Sequence, residues 1–254
     1  MKITILGSGT SQGVPVIACD CHVCISNDPK DQRSRTSVLI SHKNENYVID
    51  AGPDFRFQML REKVKSLRAV LLTHEHKDHM AGLDDVRAFN FREKRAMEIY
   101  CSNQVEEAVK KEYHYAFSKD KYPGTPTFNI NPIDKLAFKL PDGLEITPIE
   151  VMHYKMPVRG FRIGNFTYIT DAKTVSEPER AKIKGSEILV INCLHEKEHI
   201  SHFNLKEALA FIEEMQPKRA YLTHISHYFG RHEEIIKKLP PNVHPCYDGL
   251  SFNL

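Results

Sequence analysis

Histidine and aspartate are concentrated in the segment THEHKDH, which occupies residues 73–79. It places four candidate metal ligands within six positions: His74, His76, Asp78 and His79. Imidazole nitrogen and carboxylate oxygen bind zinc, manganese and iron, and a metal site with an open position makes a bound water acidic. The segment therefore predicts a hydrolytic metal centre. A histidine-rich surface loop that only collects metal is the alternative, and the ligand candidates elsewhere in the chain disfavour it.

The elements around this segment explain how its side chains could converge. Residues 69–73 are apolar and partly β-branched, which predicts a short buried strand running into a loop. His74 and His76 could grip one ion, because alternate residues of an extended backbone share a face. Asp78 and His79 follow the turn and could face a second ion. Three further candidates each follow or end a predicted strand: His153, Asp171 and His224.

Taken in order along the chain, these seven residues resemble the ligand series of the metallo-β-lactamase fold hydrolases, and the resemblance covers nearly the whole chain. It implies an α/β fold, a four-layer αββα sandwich with a dinuclear site at one edge of the two sheets. The ligands that it implies for the first ion are His74, His76 and His153. Those for the second ion are Asp78, His79 and His224. Asp171 would bridge the two ions.

A second group of potential ligands lies near the N-terminus, where three of the six cysteines are Cys19, Cys21 and Cys24. A disulfide would leave one thiol unpaired, and bridges between such close neighbours are strained. Three thiolates instead suit a tetrahedral structural zinc that needs one more ligand. His227 is the candidate for that position, and His22 is a weaker rival. A reduced, partly reactive cysteine loop is the alternative.

The glycine-rich residues 6–15 follow the first predicted strand and could present N–H groups to an anion, but they do not match a nucleotide-binding fingerprint. Combined with the cysteine segment and His227, they resemble the phosphodiesterase branch of the fold, typified by the cyclic phosphodiesterase of the carbon–phosphorus lyase pathway. That branch carries a structural zinc, whose ligands map onto Cys19, Cys21, Cys24 and His227. It hydrolyses phosphodiesters, including five-membered cyclic phosphates of ribose.

His202 stands just before residues 205–215, whose apolar positions predict an amphipathic helix. In the phosphodiesterase branch, a histidine in this place reaches the active site without binding metal. The resemblance therefore implies that His202 stabilises the phosphoryl oxygens or protonates the leaving alkoxide. His195 and His199 compete for this role, although the reading of both as solvated loop residues is the stronger one.

The implied reaction is hydrolysis of a small phosphodiester by a hydroxide shared between two zinc or manganese ions, with a third, structural zinc. Asp78 is expected to orient the hydroxide. Arg159 and Arg162 are both candidates for contacting an anion. Rival functions are a thioester or lactone hydrolase, an endonuclease of the transfer-RNA 3′ end, and a metal-dependent binding module without catalysis.

Composition limits the setting in which this chemistry takes place. The 254 residues are 41% hydrophobic, and we expect a single domain over residues 1–254. Lys plus Arg number 35 against 33 Asp plus Glu, so no overall basic field favours a long nucleic acid. The sequence offers no membrane span and no signal peptide. We therefore expect a cytoplasmic protein with reduced thiols, no membrane contact and, on the resemblance, a homodimer as a plausible state.

The apolar and turn patterns predict strands near residues 2–6, 36–42, 46–50, 69–73, 97–101, 133–138, 145–151, 159–163, 166–170, 187–192 and 219–223, and helices near residues 54–65, 79–91, 103–118, 204–216 and 231–238. Residues 122–126 contain two prolines and a glycine and predict a loop.

Overall fold

The computed structural model describes residues 1–254, and its fifteen β-strands form two sheets. The strands are β1 (Lys2–Gly7), β2 (Ser37–His42), β3 (Glu45–Ile49), β4 (Ala69–Leu71), β5 (Met97–Cys101), β6 (Phe128–Pro132), β7 (Phe138–Lys139), β8 (Glu145–His153), β9 (Met156–Ile163), β10 (Phe166–Ile169), β11 (Thr174–Val175), β12 (Ile188–Asn192), β13 (Arg219–Thr223), β14 (Val243–Pro245) and β15 (Ser251–Asn253). The first sheet has the order β15-β1-β2-β3-β4-β5-β6. The second has the order β11-β8-β9-β10-β12-β13-β14, and β7 pairs with β8 beside it.

Eight α-helices lie against the outer faces of the sheets. They are α1 (Phe55–Arg61), α2 (Lys77–Met80), α3 (Arg87–Glu93), α4 (Asn103–Glu112), α5 (His114–Phe117), α6 (Glu177–Ile183), α7 (Leu205–Met215) and α8 (His232–Ile236), and two 3-10 helices span Leu83–Val86 and His227–Phe229. Helices α1 to α5 contribute to the core on the first sheet, and α6 to α8 to the core on the second. No helix has the length and apolar character needed to cross a bilayer.

A third core lies between the sheets. Ile40 and Ile49 from the first sheet and Phe161 and Tyr168 from the second belong to it, each with 0% exposure. Burial of such a side chain contributes roughly 1.5–3 kcal/mol. The layers therefore follow the order helix, sheet, sheet, helix, and the predicted αββα architecture is confirmed.

Strand direction determines where functional side chains can meet. Strands β3 to β6 are parallel in the first sheet, as are β10, β12, β13 and β14 in the second. Because β8 and β10 are both antiparallel to β9, the carboxyl end of β8 lies at the same edge as those of β10 and β13. The predicted ligands His153, Asp171 and His224 all lie at this edge.

Helix α7 confirms the predicted amphipathic helix behind His202. Its buried positions, 208, 211, 212 and 215, follow a helical spacing. Asn204 Oδ1 accepts from Glu207 N at 2.9 Å, and Glu207 Oε2 accepts from Asn204 N at 3.0 Å. This capping box fixes the point at which the loop carrying His202 enters the helix.

Two helices that the sequence predicts as continuous are interrupted in the structure. The helix predicted over 79–91 is divided into α2, a 3-10 helix and α3. Gly82 N donates to Ala51 O at 2.8 Å, and a Cβ at Gly82 would lie 2.1 Å from Gly52 O. The chain is therefore held against the loop after β3, which a continuous α-helix would not allow. Tyr113 likewise separates α4 from α5 within the helix predicted over 103–118.

Other differences reflect weak local patterns. The strand predicted over 133–138 lies earlier, as β6, and only the two residues of β7 follow it. The helix predicted over 54–65 ends at Arg61, and Lys63 adopts a left-handed φ of 54°. Helix α6 and the short strands β11, β14 and β15 were not predicted, since such short segments offer little periodicity.

Candidate metal centre

The predicted ligands surround one point at the shared edge of the sheets. His74 and His76 lie in the loop after β4, whereas Asp78 and His79 belong to α2. His153 is the last residue of β8. Asp171 and His224 follow β10 and β13, with left-handed φ values of 55° and 57°. Such a backbone conformation is uncommon for residues other than glycine, and at these two positions it turns the chain directly after a strand.

Asp171 lies at the centre of the group. Its Oδ2 atom is 3.3 Å from His79 Nε2 and 3.3 Å from His224 Nδ1. Its Oδ1 atom is 3.7 Å from His202 Nδ1. Asp78 Oδ2 lies 3.1 Å from His79 Nε2, so potential donors of Asp78, His79 and His224 fall within 4.8 Å of one another. This trio is the ligand set predicted for the second ion.

The three histidines predicted for the first ion are also neighbours. Ring centroids are 4.7 Å apart for His74 and His76, 5.3 Å for His76 and His153, and 6.0 Å for His74 and His153. The tighter groups of donor atoms nevertheless include Asp171: one contains His74 and His79 with it, and another contains His153 and His202. The division of ligands between two ions thus stays a prediction.

Hydrogen bonds from the buried surroundings set the orientation of these rings. His79 Nδ1 donates to Asp50 Oδ2 at 2.6 Å. Thr73 Oγ1 donates to the same oxygen at 2.8 Å, which leaves the hydroxyl free to accept from His74 Nδ1 at 2.9 Å. His153 Nδ1 donates to Ser201 O at 2.9 Å. Each ring is therefore held with Nδ1 protonated and Nε2 available as a ligand.

The chemistry of these nitrogens fits a bound metal. Four nitrogens around Asp171 are shielded from solvent and make no hydrogen bond: His74 Nε2, His79 Nε2, His202 Nδ1 and His224 Nδ1. A buried polar atom without a hydrogen bond costs about 1–3 kcal/mol, so four of them around one carboxylate favour a bound ligand. Divalent cations coordinated by these nitrogens and by the carboxylates would meet that need.

The charged side chains around Asp171 shift one another's pKa values. Burial alone would lower the pKa of His79, but the carboxylates of Asp50, Asp171 and Asp78 raise it well above its ordinary range. Burial likewise opposes ionisation of Asp171, yet His224 and His79 hold its pKa well below the usual value. Protonated His79 thus balances the negative charge of these carboxylates, and a metal ion would compete with its proton.

The predicted structural site is formed by donors from two distant segments. His227 Nδ1 lies 3.3 Å from Cys19 Sγ, 3.4 Å from Cys21 Sγ and 3.4 Å from Cys24 Sγ. All six cysteines are free thiols. His22 turns away, and its Nε2 lies 3.3 Å from Glu234 Oε2, so the structure does not bring it into the group. Four convergent donors without disulfides suit a closed zinc site.

The thiols in this group differ in acidity. Burial opposes ionisation of Cys21, but hydrogen bonds from the Cys24 backbone and from His227 lower its pKa to about 6. Burial raises the pKa of Cys24 to about 11. One thiolate is therefore available near neutral pH without metal, and a cation would complete the ionisation of the others.

The three histidines before α7 lie at increasing distance from Asp171, and the glycine-rich loop lies apart from them. His202 is buried beside Asp171, and its ring centroid is 4.9 Å from that of His199. His195 is one step farther out, 6.2 Å from His199 between ring centroids. The N–H groups of Gly9 and Thr10 donate to Ser34 O and Ile225 O, so this part of the glycine-rich loop ties strands together.

Asp50 is a site residue that the sequence reasoning missed. It is fully buried, has a left-handed φ of 63° and supports His79 and Thr73. Burial raises its pKa, against the effect of His79. It follows directly after β3, much as Asp171 lies two residues after the end of β10, and this placement of a carboxylate at a strand end was the available signal.

Comparison with known proteins agrees with this arrangement. The family model described as a beta-lactamase superfamily domain matches residues 45–225. The chain therefore belongs to the metallo-β-lactamase fold hydrolases of that superfamily. A crystal structure of a diphosphatase from the PhnP family shares 34% identity and superposes with a TM-score of 0.93, covering 100% of this chain and 97% of that one. This similarity identifies the chain with the PhnP-like branch and confirms the resemblance seen in the sequence.

Two more distant or partial similarities add context. The zinc-bound PqqB from Methylobacterium extorquens has a TM-score of 0.81 at 19% identity, covering 100% of both chains, and shows the fold alone. A protein of Porphyromonas gingivalis named octanoyltransferase is 40% identical over 253 residues, which are 98% of this chain and 51% of that protein. The chain thus spans about half the length of that relative.

Proposed function

We propose that the protein is a metal-dependent phosphodiesterase that hydrolyses a small phosphodiester, including cyclic phosphates of ribose or of nucleotides. The observation that carries the proposal is the convergence on Asp171 of buried nitrogens that make no hydrogen bond, in a chain that shares 34% identity with a PhnP-family diphosphatase. A shared carboxylate between two sets of donors suits two cations that act on one phosphoryl group.

His74, His76 and His153 would hold one cation, Asp78, His79 and His224 the other, with Asp171 between them. When bound, divalent cations acidify water and neutralise charge on the phosphoryl oxygens. Zinc and manganese are both compatible with this donor set. Asp78 contributes an oxygen beside His79 that can accept a hydrogen bond from the attacking water and orient it.

His202 contributes from beside Asp171, where its ring stacks on that of His224 with 4.7 Å between ring centroids. Burial, reinforced by nearby His224, lowers the pKa of His202 to about 2, so its ring is neutral at pH 7. A neutral imidazole donates one hydrogen bond but is a poor source of protons. Of the two roles expected for His202, this environment favours hydrogen bonding to a phosphoryl oxygen over protonation of the leaving alkoxide.

The test is a substrate panel applied to protein of measured metal content: bis(p-nitrophenyl) phosphate, a nucleoside 2′,3′-cyclic phosphate, a dinucleoside diphosphate, an acyl thioester and a lactone. We expect cleavage of the phosphorus substrates and loss of that cleavage in Asp171→Ala. Cleavage of only the thioester or the lactone would reject the phosphodiesterase while retaining the hydrolase.

Acyl thioester hydrolysis is the second candidate, because the 40% identical relative carries the name octanoyltransferase. The same cations could activate water for attack on a carbonyl carbon. The name describes a protein about twice as long as this chain, which is why the phosphorus chemistry comes first. An octanoyl thioester in the panel separates the two candidates directly.

The cellular setting follows from the thiol group. The four donors Cys19, Cys21, Cys24 and His227 are proposed to hold one structural zinc, which requires reduced cysteines. We therefore propose a cytoplasmic enzyme that acts on a small molecule, and a homodimer remains part of the proposal. Size-exclusion chromatography with light scattering tests the oligomeric state.

A further inference from the structure

A cavity of about 390 Å³ lies between the loop after β12 and the 3-10 helix after β13. The residues that line it are His195, Glu196, Lys197, Tyr228 and Lys238. None of the five belongs to either ligand group, and no step of the proposed reaction uses them. The cavity is therefore a feature of this end of the molecule that still lacks a role.

A row of aromatic rings connects this cavity with the candidate metal centre. Ring centroids along the row are 4.7 Å apart for His224 and His202, 4.9 Å for His202 and His199, 6.2 Å for His199 and His195, and 6.4 Å for His195 and Tyr228. The first two rings are buried, the next two are half-buried, and Tyr228 is 78% exposed. A substrate bound at the metal centre can therefore extend along the row to the cavity.

The outer end of the row is a corner formed by His195 and Tyr228, here called the Tyr228 corner. The two ring planes meet at 73°, so a flat group stacked on Tyr228 would turn one edge toward His195. Ser226 N donates to Leu194 O at 3.0 Å, and Tyr228 N donates to Ser226 Oγ at 3.3 Å. The Tyr228 ring also packs on His227, with 4.0 Å between centroids. These contacts hold the corner in place before a ligand binds.

Polar groups in the remaining walls of the cavity complete its chemistry. Lys238 pairs with Glu196, whereas Lys197 makes no ion pair. Burial lowers the pKa of His195, so its ring is neutral at pH 7. The cavity thus combines a flat aromatic surface with one free cation, a carboxylate and a neutral imidazole. Donors and acceptors beside an exposed ring suit a neutral heteroaromatic group that can stack and form hydrogen bonds along its edge.

We propose that the Tyr228 corner is a binding site for a nucleobase of the substrate, separate from the phosphorus that is attacked. The inference rests on the proposed function and narrows the substrate to a phosphodiester that carries a nucleoside. Every base has a flat face, so stacking should favour the presence of a base over its identity. Tyr228 and His195 act in binding and take no part in bond cleavage.

The test compares two esters that differ only in the base. They are the p-nitrophenyl ester of thymidine 5′-phosphate and the p-nitrophenyl ester of 1,2-dideoxyribose 5-phosphate, which lacks thymine. In the metal-loaded native protein, the thymidine ester should have a kcat/KM about 5–150-fold higher, the range for one base stacked on an aromatic side chain, mainly through a lower KM. Tyr228→Ala should abolish this difference.

Two further variants at tyrosines define the contact. Tyr228→Phe keeps the flat ring and should keep the difference between the esters. Tyr122→Ala is the matched control, because Tyr122 is 79% exposed, like Tyr228, but does not line the cavity. Equal kcat/KM values for the two esters in the native protein, or a difference that survives in Tyr228→Ala, would overturn the proposal. Loss of the difference in Tyr228→Phe would also overturn it, because the contact would then belong to the hydroxyl.

His195→Ala tests the other wall of the corner. Tyr228 follows His227, so a change at Tyr228 can disturb the thiol group, whereas His195 lies outside that group. His195→Ala should reduce the difference between the two esters while zinc content stays constant. An unchanged difference in this variant would reject the corner.

A binding measurement keeps this inference separate from the proposed function. The fluorescent nucleoside 1,N6-ethenoadenosine has a base but no phosphate, and its anisotropy reports binding to metal-loaded protein. Its Kd should be at least about fivefold weaker for Tyr228→Ala than for Tyr122→Ala. If neither ester is cleaved but this difference is present, the proposed reaction fails and the base site stands. If the two variants bind the nucleoside equally, the base site is rejected whatever the reaction.

Discussion

The two ligand groups of this protein are built differently. The group around Asp171 consists of nitrogens and carboxylates at or near the ends of buried strands, and four of its nitrogens make no hydrogen bond. The thiol group consists of Cys19, Cys21 and Cys24 in an irregular surface segment, closed by His227 from the 3-10 helix after β13. The first has more donors than one ion needs, whereas the second has the four of a tetrahedral site.

This contrast is the reason that the proposed chemistry is assigned to the first group. A metal in a closed four-donor site would have no position for a substrate and would only hold segments together. His227 is three residues after His224, so the thiol group brings the N-terminal loop to the strand end that carries a predicted ligand of the catalytic centre. Loss of the first group should remove activity and leave the fold, whereas loss of the second should lower thermal stability with only a small effect on turnover.

Asp171→Ala should have the largest effect on activity. Asp171 Oδ2 lies 3.3 Å from His79 Nε2 and 3.3 Å from His224 Nδ1. The carboxylate also groups, within 4.8 Å, with donors of His74 and of His153. Its removal would therefore disturb both proposed cations and the several kcal/mol of charge stabilisation that they would provide. We expect kcat/KM to fall on the order of 10⁴-fold or more, with circular dichroism unchanged. Metal analysis should show loss from this centre alone. Near-normal turnover in the variant would contradict the central role of Asp171.

His202→Ala should have the next largest effect. We expect kcat to fall by about 10²–10⁴-fold, the range for positioned acid–base and hydrogen-bonding groups, while metal content stays constant. His199→Ala is the control, since that ring is adjacent to His202 but forms no part of the donor groups. Steady-state kinetics with metal analysis on both variants would make the comparison. Full activity in His202→Ala would reject its assigned role, and loss of metal would make it a ligand instead.

Asp50→Asn tests the residues that orient the ligands. The amide keeps the shape of the side chain but removes the charge that holds His79 Nδ1 at 2.6 Å. Such supporting groups typically change metal affinity or activity by about 10–100-fold. Competition with a chromogenic chelator should detect weaker binding at the catalytic centre only. Unchanged affinity would mean that Thr73 and the surrounding packing suffice to orient the ring.

Residues in a recurring pattern could be recognised from the sequence, whereas isolated residues and contacts between distant segments could not. The THEHKDH segment and the strand-end residues His153, Asp171 and His224 were recognisable because metal-ligand types recur where apolar runs stop. Asp50 was missed, since a single carboxylate after a strand also suits a turn. The break at Gly82 could not be predicted because its cause, contact with the Ala51–Gly52 backbone, is made by residues distant in sequence.

The two arginines of β9 and the metal centre differ in what sequence can express. Arg159 and Arg162 lie on opposite faces of the strand, and their acceptors come from distant parts of the chain: Glu150 for Arg159, and Lys182 O and Lys184 O for Arg162. Residue type and spacing can therefore predict a metal centre, whose donors belong to few residue types. They cannot predict which acceptors a guanidinium has, because that property belongs to the neighbours of the residue.

Cys21→Ser should have the smallest effect on turnover and the clearest effect on stability. Removing one of four donors should release one equivalent of zinc and free the N-terminal loop from His227, lowering Tm by several degrees, since about 1 kcal/mol corresponds to 2–4 °C in a domain of this size. Cys101→Ser, at a buried cysteine outside the group, is the control: it should lower Tm without loss of metal. Calorimetry with metal analysis distinguishes these cases.

His224 is close in sequence to His227, so Cys21→Ser should also reduce activity. The reduction should be no more than a few-fold at low temperature, because the N-terminal loop stays packed there. A loss as large as that of Asp171→Ala would mean that the two groups act as one centre.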